Sequence, residues 1–251
     1  MANRFLAPVL LATLFPSTLA AQTSKAPLRN QLKAHSPLPA DIAGDPLFQI
    51  LLQNSRARVA RLELAPSAST RLDAHPHDYI LVSKGSSRLR VEGGSTRFDL
   101  DMSNDELQVI KGGWSHRLVN RSEKPAEVLL IEINQQIHPD HPTCGLNGSN
   151  CESVRFGKSD QGTYSESTLF ETDTVRVLRA ELGPGSTLST HAHSGGHLIV
   201  PLHGGDLETE AGPQAKNPAD PNNLAFWQAD GPRALLNRGK SDASLLIVEV
   251  K

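Results

Sequence analysis

This 251-residue sequence contains no apolar run long enough to cross a bilayer, and its Lys and Arg residues form no cluster beyond what a solvated surface carries. With 25 basic and 27 acidic side chains the formal charge is −2, so the charge pattern indicates neither a nucleic-acid partner nor an anionic membrane surface. The sequence also lacks a Gly-rich phosphate loop, a nucleophile elbow and a Cys-His catalytic pair. These absences argue against nucleotide-dependent enzymes and covalent hydrolases.

The first 21 residues have the pattern of a secretory signal. Arg4 supplies a positive start, residues 5–14 are apolar, and small residues at 18–21 form a cleavage site. The apolar run is too short to span a membrane. We therefore predict a signal peptide over residues 1–21 and a secreted or periplasmic mature protein with no membrane span.

The segment 22–54 is predicted to be a Pro- and Ala-rich tail that ends in a short helix. Asp45 and Pro46 stand directly before the apolar run 47–52. An Asp side chain accepts the free N–H groups at a helix start, and Pro suits the first helical turn. The sequence therefore predicts a short N-terminal helix over 47–52.

The chain has only two cysteines. Cys144 and Cys151 bracket a Gly- and Asn-rich loop inside a linker at about residues 135–165. In an exported protein a pair this close is more typical of a disulfide than of two free thiols. We predict that the bridge is a local staple with no catalytic role.

Two segments of the chain, 56–133 and 173–250, follow one pattern and indicate an internal duplication. The clearest match is between residues 118–133 and 235–250. Short apolar runs separated by glycines indicate six to eight strands in each repeat. Repeated short strands of this kind favour an all-β sandwich or barrel per repeat.

Three histidines in the second repeat form the strongest chemical signal in the sequence. His191 and His193 are two residues apart, so on an extended strand their side chains lie on one face. A Ser-Gly-Gly turn then leads to His197 at the start of the returning strand. Since imidazole is a common ligand for zinc, iron, copper and nickel, the sequence predicts a metal site at these three residues.

The motif spacing of the second repeat resembles that of the cupin superfamily. The first cupin motif is Gly, five residues, His-x-His, three or four residues, Glu, six residues, Gly. The second repeat matches every spacing from Gly185 to Gly204, with His197 where the family has Glu. In the first repeat Gly113, His116 and Asn120 match the second cupin motif.

Together with the duplication, the motifs resemble those of a bicupin over nearly all of residues 56–250. The resemblance implies two tandem cupin-type jelly-roll barrels, the first over 55–134 and the second over 166–251. The fold class expected for the whole chain is all-β, with the short N-terminal helix before the first barrel.

Cupin chemistry depends on one metal bound by the His-x-His pair, the Glu and the second-motif His. Carried over to the first repeat, the resemblance implies a weaker candidate set of Asp73, His75, Asp78 and His116. His77 lies in the turn and is either a substitute ligand or a solvated loop residue. The cofactor implied is a divalent transition metal, with Fe, Mn, Ni, Cu and Zn not distinguished.

Arg233 stands where the second repeat should carry its second-motif His. Arginine stays protonated and is a poor metal ligand. Either three histidines suffice and Arg233 holds a carboxylate or phosphate of the substrate, or the site has decayed and Arg233 packs with a solvated head.

Three functions remain open at the level of sequence. The first is an exported metal-dependent enzyme, dioxygenase-like or decarboxylase-like, on a small anionic or phenolic substrate. The second is a barrel that binds a small molecule without turnover, and the third is a structural protein with remnant histidines. A small-molecule ligand is the expected partner, and pairing of barrel edges makes a homodimer possible.

Overall fold

The computed structural model of the chain describes residues 41–134, 137, 142–145, 151, 154–159, 162–189, 196–209, 225–227 and 234–251. These residues are almost entirely β-structure, with one 3₁₀ turn at Ile42–Gly44. The strands of the first repeat are β1 (Phe48–Gln53), β2 (Ala57–Leu64), β3 (Asp73–His75), β4 (Tyr79–Ser83), β5 (Ser87–Gly93), β6 (Thr96–Met102), β7 (Leu107–Ile110), β8 (Trp114–Asn120) and β9 (Ala126–Ile133). The linker and the second repeat contain β10 (Pro142–Cys144), β11 (Val154–Ser159), β12 (Gly162–Thr172), β13 (Val175–Leu182), β14 (Thr187–Ser189), β15 (His197–Gly204), β16 (Leu207–Thr209), β17 (Ala225–Trp227), β18 (Ala234–Asn237) and β19 (Ala243–Val250).

The two repeats have the same sheet topology. In the first, one sheet has the order β1-β2-β9-β4-β7 and the facing sheet β3-β8-β5-β6. In the second, β12-β13-β19-β15-β17 and β14-β18-β16 follow the same sequence of neighbours, while β10 and β11 add to β12. Every strand pair is antiparallel, as a jelly roll requires. The predicted pair of tandem barrels is confirmed.

The predicted helix over 47–52 was wrong, because Phe48–Gln53 is strand β1 and pairs with β2. Six mostly apolar residues fit either a short helix or a buried strand. Here they form a strand, because β2 offers unpaired backbone groups at its edge and β1 hydrogen-bonds to them. Asp45 keeps part of the expected capping role. Its carboxylate accepts hydrogen bonds from the backbone N–H groups of Leu47 and Arg71, so it shapes a turn that leads into the sheet.

The central strands are buried on both faces, which explains the runs of four apolar residues at their centres. In β9, Val128 and Leu130 face the interior of the first barrel, whereas Leu129 and Ile131 face the second barrel. Strand β19 divides its side chains in the same way. The two barrels therefore share a third hydrophobic core between them, which buries these side chains: Val59, Ile80, Val82, Ile131, Ile133, Phe170, Val175, Val177, Leu198, Val200, Leu246 and Val248.

The predicted disulfide is confirmed, since the sulfur atoms of Cys144 and Cys151 are bonded. Cys144 lies at the end of β10 and pairs with Glu171 of β12, so the bridge ties the linker to an edge of the second barrel. Among the residues described, no helix is long and apolar enough to cross a membrane.

One buried asparagine in each repeat closes the same loop by the same hydrogen bonds. Asn120 Nδ2 donates to the carbonyl groups of Leu64 and Lys124, and its Oδ1 accepts from Ser122 N–H. Asn237 does the same with Leu182, Ser241 and Gly239. The Asn that the cupin-like motif placed at the end of this strand is therefore a structural residue that joins β8 or β18 to the first central strand of its barrel.

Replacing either asparagine is expected to destabilise the fold. Asn120→Ala and Asn237→Ala each leave buried carbonyl groups without donors, so each should lower the free energy of unfolding by about 1–3 kcal/mol. Asn134→Ala is the matched control because Asn134 is exposed and makes one bond of 3.3 Å, so its effect should stay within about 0.5 kcal/mol. Urea unfolding followed by circular dichroism measures all three, and equal effects at the three positions would contradict the assigned role.

Candidate functional site

Strands β3 and β8 place three of the predicted residues side by side in the first barrel. Asp73 and His75 are two residues apart on β3 and therefore lie on one face of the strand. Asp73 pairs directly with His116 of β8. All three side chains are buried, with relative exposures of 0–3%. The structure thus brings together the Asp73, His75 and His116 that the sequence predicted as ligands.

A glutamate on the neighbouring sheet orients His75. The Nδ1 atom of His75 lies 3.1 Å from Glu132 Oε1, and Glu132 Oε2 lies 3.3 Å from the guanidinium of Arg58. A carboxylate held by arginine accepts hydrogen bonds, so Nδ1 of His75 donates its proton to Glu132 and the Nε2 side of the ring is left for another partner. A carboxylate behind one imidazole nitrogen is the arrangement that orients metal-ligating histidines.

Tyr79 packs beside the two histidines, whose rings stack on each other. Its hydroxyl lies 2.5 Å from Nε2 of His116, and its ring centroid lies 4.6 Å from that of His75. The rings of His75 and His116 are also 4.6 Å apart, and Trp114 covers His116 at 4.2 Å. The interior of the first barrel therefore contains closely packed histidine, tyrosine and tryptophan rings where a purely apolar core could have stood.

Three buried groups of this cluster have strongly shifted pKa values. Burial raises the pKa of Asp73 to about 6, with a further contribution from the charge of Asp45. Burial lowers the pKa of His116 to about 4, and the neighbouring His75 adds to this. Burial also raises the pKa of the Tyr79 phenol well above its ordinary value. In the metal-free barrel His116 is consequently neutral at pH 7, as a metal ligand must be.

Within the described residues neither carboxylate oxygen of Asp73 has a hydrogen-bond partner, and neither does Nδ1 of His116. Buried carboxylates normally find a donor or a cation, because leaving one alone costs free energy. A buried carboxylate without a hydrogen-bond partner, beside two imidazoles, is therefore suited to a cation.

Asp78 has a different environment from the other predicted ligands. Its Oδ1 accepts a hydrogen bond of 2.6 Å from the backbone N–H of Gly112. Gly112 approaches the backbone of His77 so closely that a Cβ atom would lie 2.2 Å from the His77 carbonyl, which explains the glycine. Asp78 thus ties the β3–β4 turn to the β7–β8 turn, and its part in metal binding stays a prediction.

The second barrel repeats the glutamate and arginine of the first. Glu249 is buried, lies 3.3 Å from Arg176, and has Oε1 3.7 Å from Nε2 of His197. His197 is itself 3% exposed at the start of β15, as predicted. The other predicted residues of this barrel, His191, His193 and Arg233, lie outside the described residues.

Strand register shows which residues of the two barrels correspond. His197 pairs with Glu249, and in the first barrel Tyr79 pairs with Glu132. Tyr79 is therefore the counterpart of His197, whereas counting back from the following glycine selects Asp78. The difference of one residue arises at the irregularity between Pro201 and His203 in β15, which inserts an extra residue before that glycine.

The donor types of the first barrel fit a divalent transition metal. Two imidazoles and a carboxylate are the ligand set of many non-haem iron sites, and the orphaned Asp73 oxygens supply an unmet demand for positive charge. In the part of the chain that is described, no three His, Cys, Asp or Glu side chains already converge as a ligand group. Metal binding through Nε2 of His116 would require that atom to exchange its hydrogen bond with Tyr79 for a metal contact.

Sequence reasoning missed Tyr79, Glu132 and Arg58. A signal for the glutamates was present: Glu132 and Glu249 each follow four consecutive apolar residues and stand one position before the end of an eight-residue strand. A charged residue in a strand buried on both faces needs a partner, and that requirement could have identified both positions.

Comparison with known proteins supports the fold. No family model matches the sequence, and none of the curated proteins does. Solved structures do match: AerE from Microcystis aeruginosa has 12% identity and a TM-score of 0.54, covering 82% of this chain and 98% of that one. The formate complex of oxalate decarboxylase from Lactobacillus farciminis has 12% identity and a TM-score of 0.54 (77% and 76%), and vicilin from tomato has 12% and 0.56 (78% and 75%).

The fold is therefore the two-barrel cupin fold that the motifs implied. Each of these likenesses is too low in identity to carry an activity from one protein to another. The chemistry of this chain must be argued from its own residues.

The shifted groups predict an unusual pH dependence of stability in the metal-free protein. Folded Asp73 holds its proton up to about pH 6, so its contribution to stability falls as pH rises from 3.8 to 6. Folded His116 resists protonation down to about pH 4, so its contribution falls as pH drops from 6.5 to 4. The two contributions oppose each other and nearly cancel in the wild type.

Single substitutions should separate these contributions. Relative to wild type, the stability of Asp73→Asn should rise with pH between about 4 and 6, and that of His116→Gln should fall, each by up to about 1.4 kcal/mol per pH unit. Urea unfolding with a chelator present, at pH values from 4 to 7, measures both slopes. Slopes of the same sign in the two variants would show that the pair is not balanced in this way.

Proposed function

We propose that this chain is an exported two-barrel cupin that binds a divalent transition metal and acts as a metal-dependent enzyme, dioxygenase-like or decarboxylase-like, on a small anionic or phenolic substrate. In the first barrel the proposed ligands are Asp73, His75 and His116. In the second barrel they are His191, His193 and His197.

The observation that carries the proposal is the buried, unpartnered carboxylate of Asp73 beside two imidazoles. A purely structural core has no use for a carboxylate that accepts no hydrogen bond, since an apolar or amide side chain would cost less. A bound cation would satisfy both of its oxygens. The raised pKa of Asp73 in the metal-free barrel has the same meaning: its negative charge is poorly stabilised there without a cation.

The chain's own residues would prepare the site in two ways. Glu132 would hold the Nδ1 proton of His75 and leave its Nε2 to bind the metal. Burial keeps His116 neutral, so no proton must be removed before it binds. When bound, the metal would supply a Lewis-acidic centre that polarises an anionic substrate.

The second barrel would supply the more cationic site. Three neutral imidazoles leave a divalent ion its full charge, which favours an anionic substrate. Glu249 and Arg176 repeat the pair that orients His75 in the first barrel, and Glu249 lies 3.7 Å from Nε2 of His197. Arg233 is proposed as the contact for a substrate carboxylate or phosphate.

Export is supported by the signal-like residues 1–21 and by the disulfide. The bond between Cys144 and Cys151 forms and persists in oxidising compartments, which include the bacterial periplasm and the extracellular space.

The closed interior of the first barrel favours a second candidate function. Asp73, His75 and His116 are at most 3% exposed, and Tyr79 is fully buried among them. If this barrel has no entry path, it is a structural or ligand-retaining domain that supports the second one.

Metal content tests the proposal. The mature protein and two double variants, His75→Ala/His116→Ala and His191→Ala/His193→Ala, are loaded with Fe(II), Mn(II) or Zn(II) without oxygen, desalted and measured by inductively coupled plasma mass spectrometry. Each double variant should lose about one metal per chain relative to wild type, because each removes two ligands of one site. The metal retained best selects the substrates for an activity screen.

His203→Ala is the matched control, since His203 is 60% exposed and belongs to neither ligand set. It should keep the metal content of the wild type. No bound metal in the wild type under any loading condition would refute the enzyme proposal, and loss confined to the second-barrel variant would refute the first-barrel site.

A further inference from the structure

Tyr79 stands where the second barrel has a predicted ligand. The strand register pairs Tyr79 with Glu132 as it pairs His197 with Glu249. On this register the side chain at position 79 points to the same place in its barrel as that of His197. The first barrel thus presents a phenol at a position where the second presents an imidazole.

The phenol oxygen cannot move far from the proposed metal position. Tyr79 lies in β4, which is paired with β7 on one side and β9 on the other, and the side chain is fully buried. Its oxygen lies 2.5 Å from His116 Nε2, the atom proposed to bind the metal. A metal on that nitrogen must therefore have the phenol oxygen as an immediate neighbour, because swinging the ring away would open a large cavity.

We propose that Tyr79 is a further ligand of the first-barrel metal and binds it through its phenolate oxygen. This inference rests on the proposed metal site at Asp73, His75 and His116. On coordination the phenol O–H bond breaks, its proton leaves to solvent, and the oxygen forms a bond to the metal. The positive charge of the ion would stabilise the phenolate that it binds.

A phenolate ligand would give the iron-loaded site a visible absorption band that the other proposed ligands, Asp73, His75 and His116, do not produce. Phenolate bound to Fe(III) absorbs visible light by charge transfer from oxygen to iron, whereas imidazole and carboxylate ligands produce no such strong visible band. Among the available oxidation states, Fe(III) is also the one best matched to a hard anionic oxygen donor.

The test uses iron and visible absorption in full-length mature protein that carries His191→Ala/His193→Ala, so that only the first barrel is loaded. After loading with Fe(II) and oxidation in air, the parent should show a visible charge-transfer band. Tyr79→Phe should lose more than nine-tenths of that band per bound iron. Tyr164→Phe is the matched control and should keep it, since the chain has only two tyrosines and Tyr164 lies in β12 of the second repeat.

Resonance Raman excitation within the band provides a readout that does not depend on the folding of a variant, because tyrosinate ring vibrations should be enhanced in the parent itself. Bound iron with no visible band would overturn the Tyr79 inference and leave the metal site standing. If Tyr79→Phe binds more iron than a colourless parent, the Tyr79 side chain blocks the metal site, and the inference is overturned as well. Absence of bound iron in the parent would refute the first-barrel site and the inference with it.

Discussion

The strands β9 and β19 are buried on both faces, and the rest of the molecule depends on that burial. Alternate side chains of each strand fill its own barrel and the core between the barrels. Neither barrel can bury the outer face of its main sheet without the other, so the tandem arrangement follows from the hydrophobic effect. A strand enclosed in this way has little tolerance for charge, which makes Glu132 and Glu249 the exceptions that reveal where the polar interiors lie.

The duplication preserves what supports the barrels and varies what lies inside them. Asn120 and Asn237 make equivalent bonds to three equivalent neighbours. Both buried glutamates also keep their arginine. The inner residue opposite the glutamate has changed between the repeats, from tyrosine in the first to histidine in the second. Such a pattern is consistent with two barrels of one architecture that hold different ligand sets.

Much of the architecture could be predicted from the sequence, because the repeats, the glycine-bounded apolar runs and the cysteine pair are local patterns with direct physical meaning. The helix at 47–52 could not be excluded, since six apolar residues carry no clear period and the pairing with β2 is a tertiary contact. Motif spacing matched His197 with Asp78, one residue away from its structural counterpart Tyr79. The spacing is misleading because the irregularity in β15 adds a residue that the motif does not reveal.

The candidate site was predicted only in part. Asp73 pairs with His116 and shares a strand face with His75, because strand pairing follows from the motif positions, and their role as ligands stays a prediction. The roles of Tyr79 and Arg58 depend on which face of a strand meets which neighbour, and a buried Tyr in an apolar run is otherwise an ordinary core residue. Burial and missing partners, which give Asp73 its demand for a cation, are properties of the folded molecule.

The central claim is that the first barrel holds a metal between Asp73, His75 and His116. Anomalous X-ray diffraction from metal-loaded crystals, collected on both sides of the metal's absorption edge, tests it most directly. The account predicts an anomalous peak within bonding distance of a carboxylate oxygen of Asp73 and of Nε2 of both histidines. A first barrel without a peak, with the Tyr79 hydroxyl still bonded to His116, would contradict it.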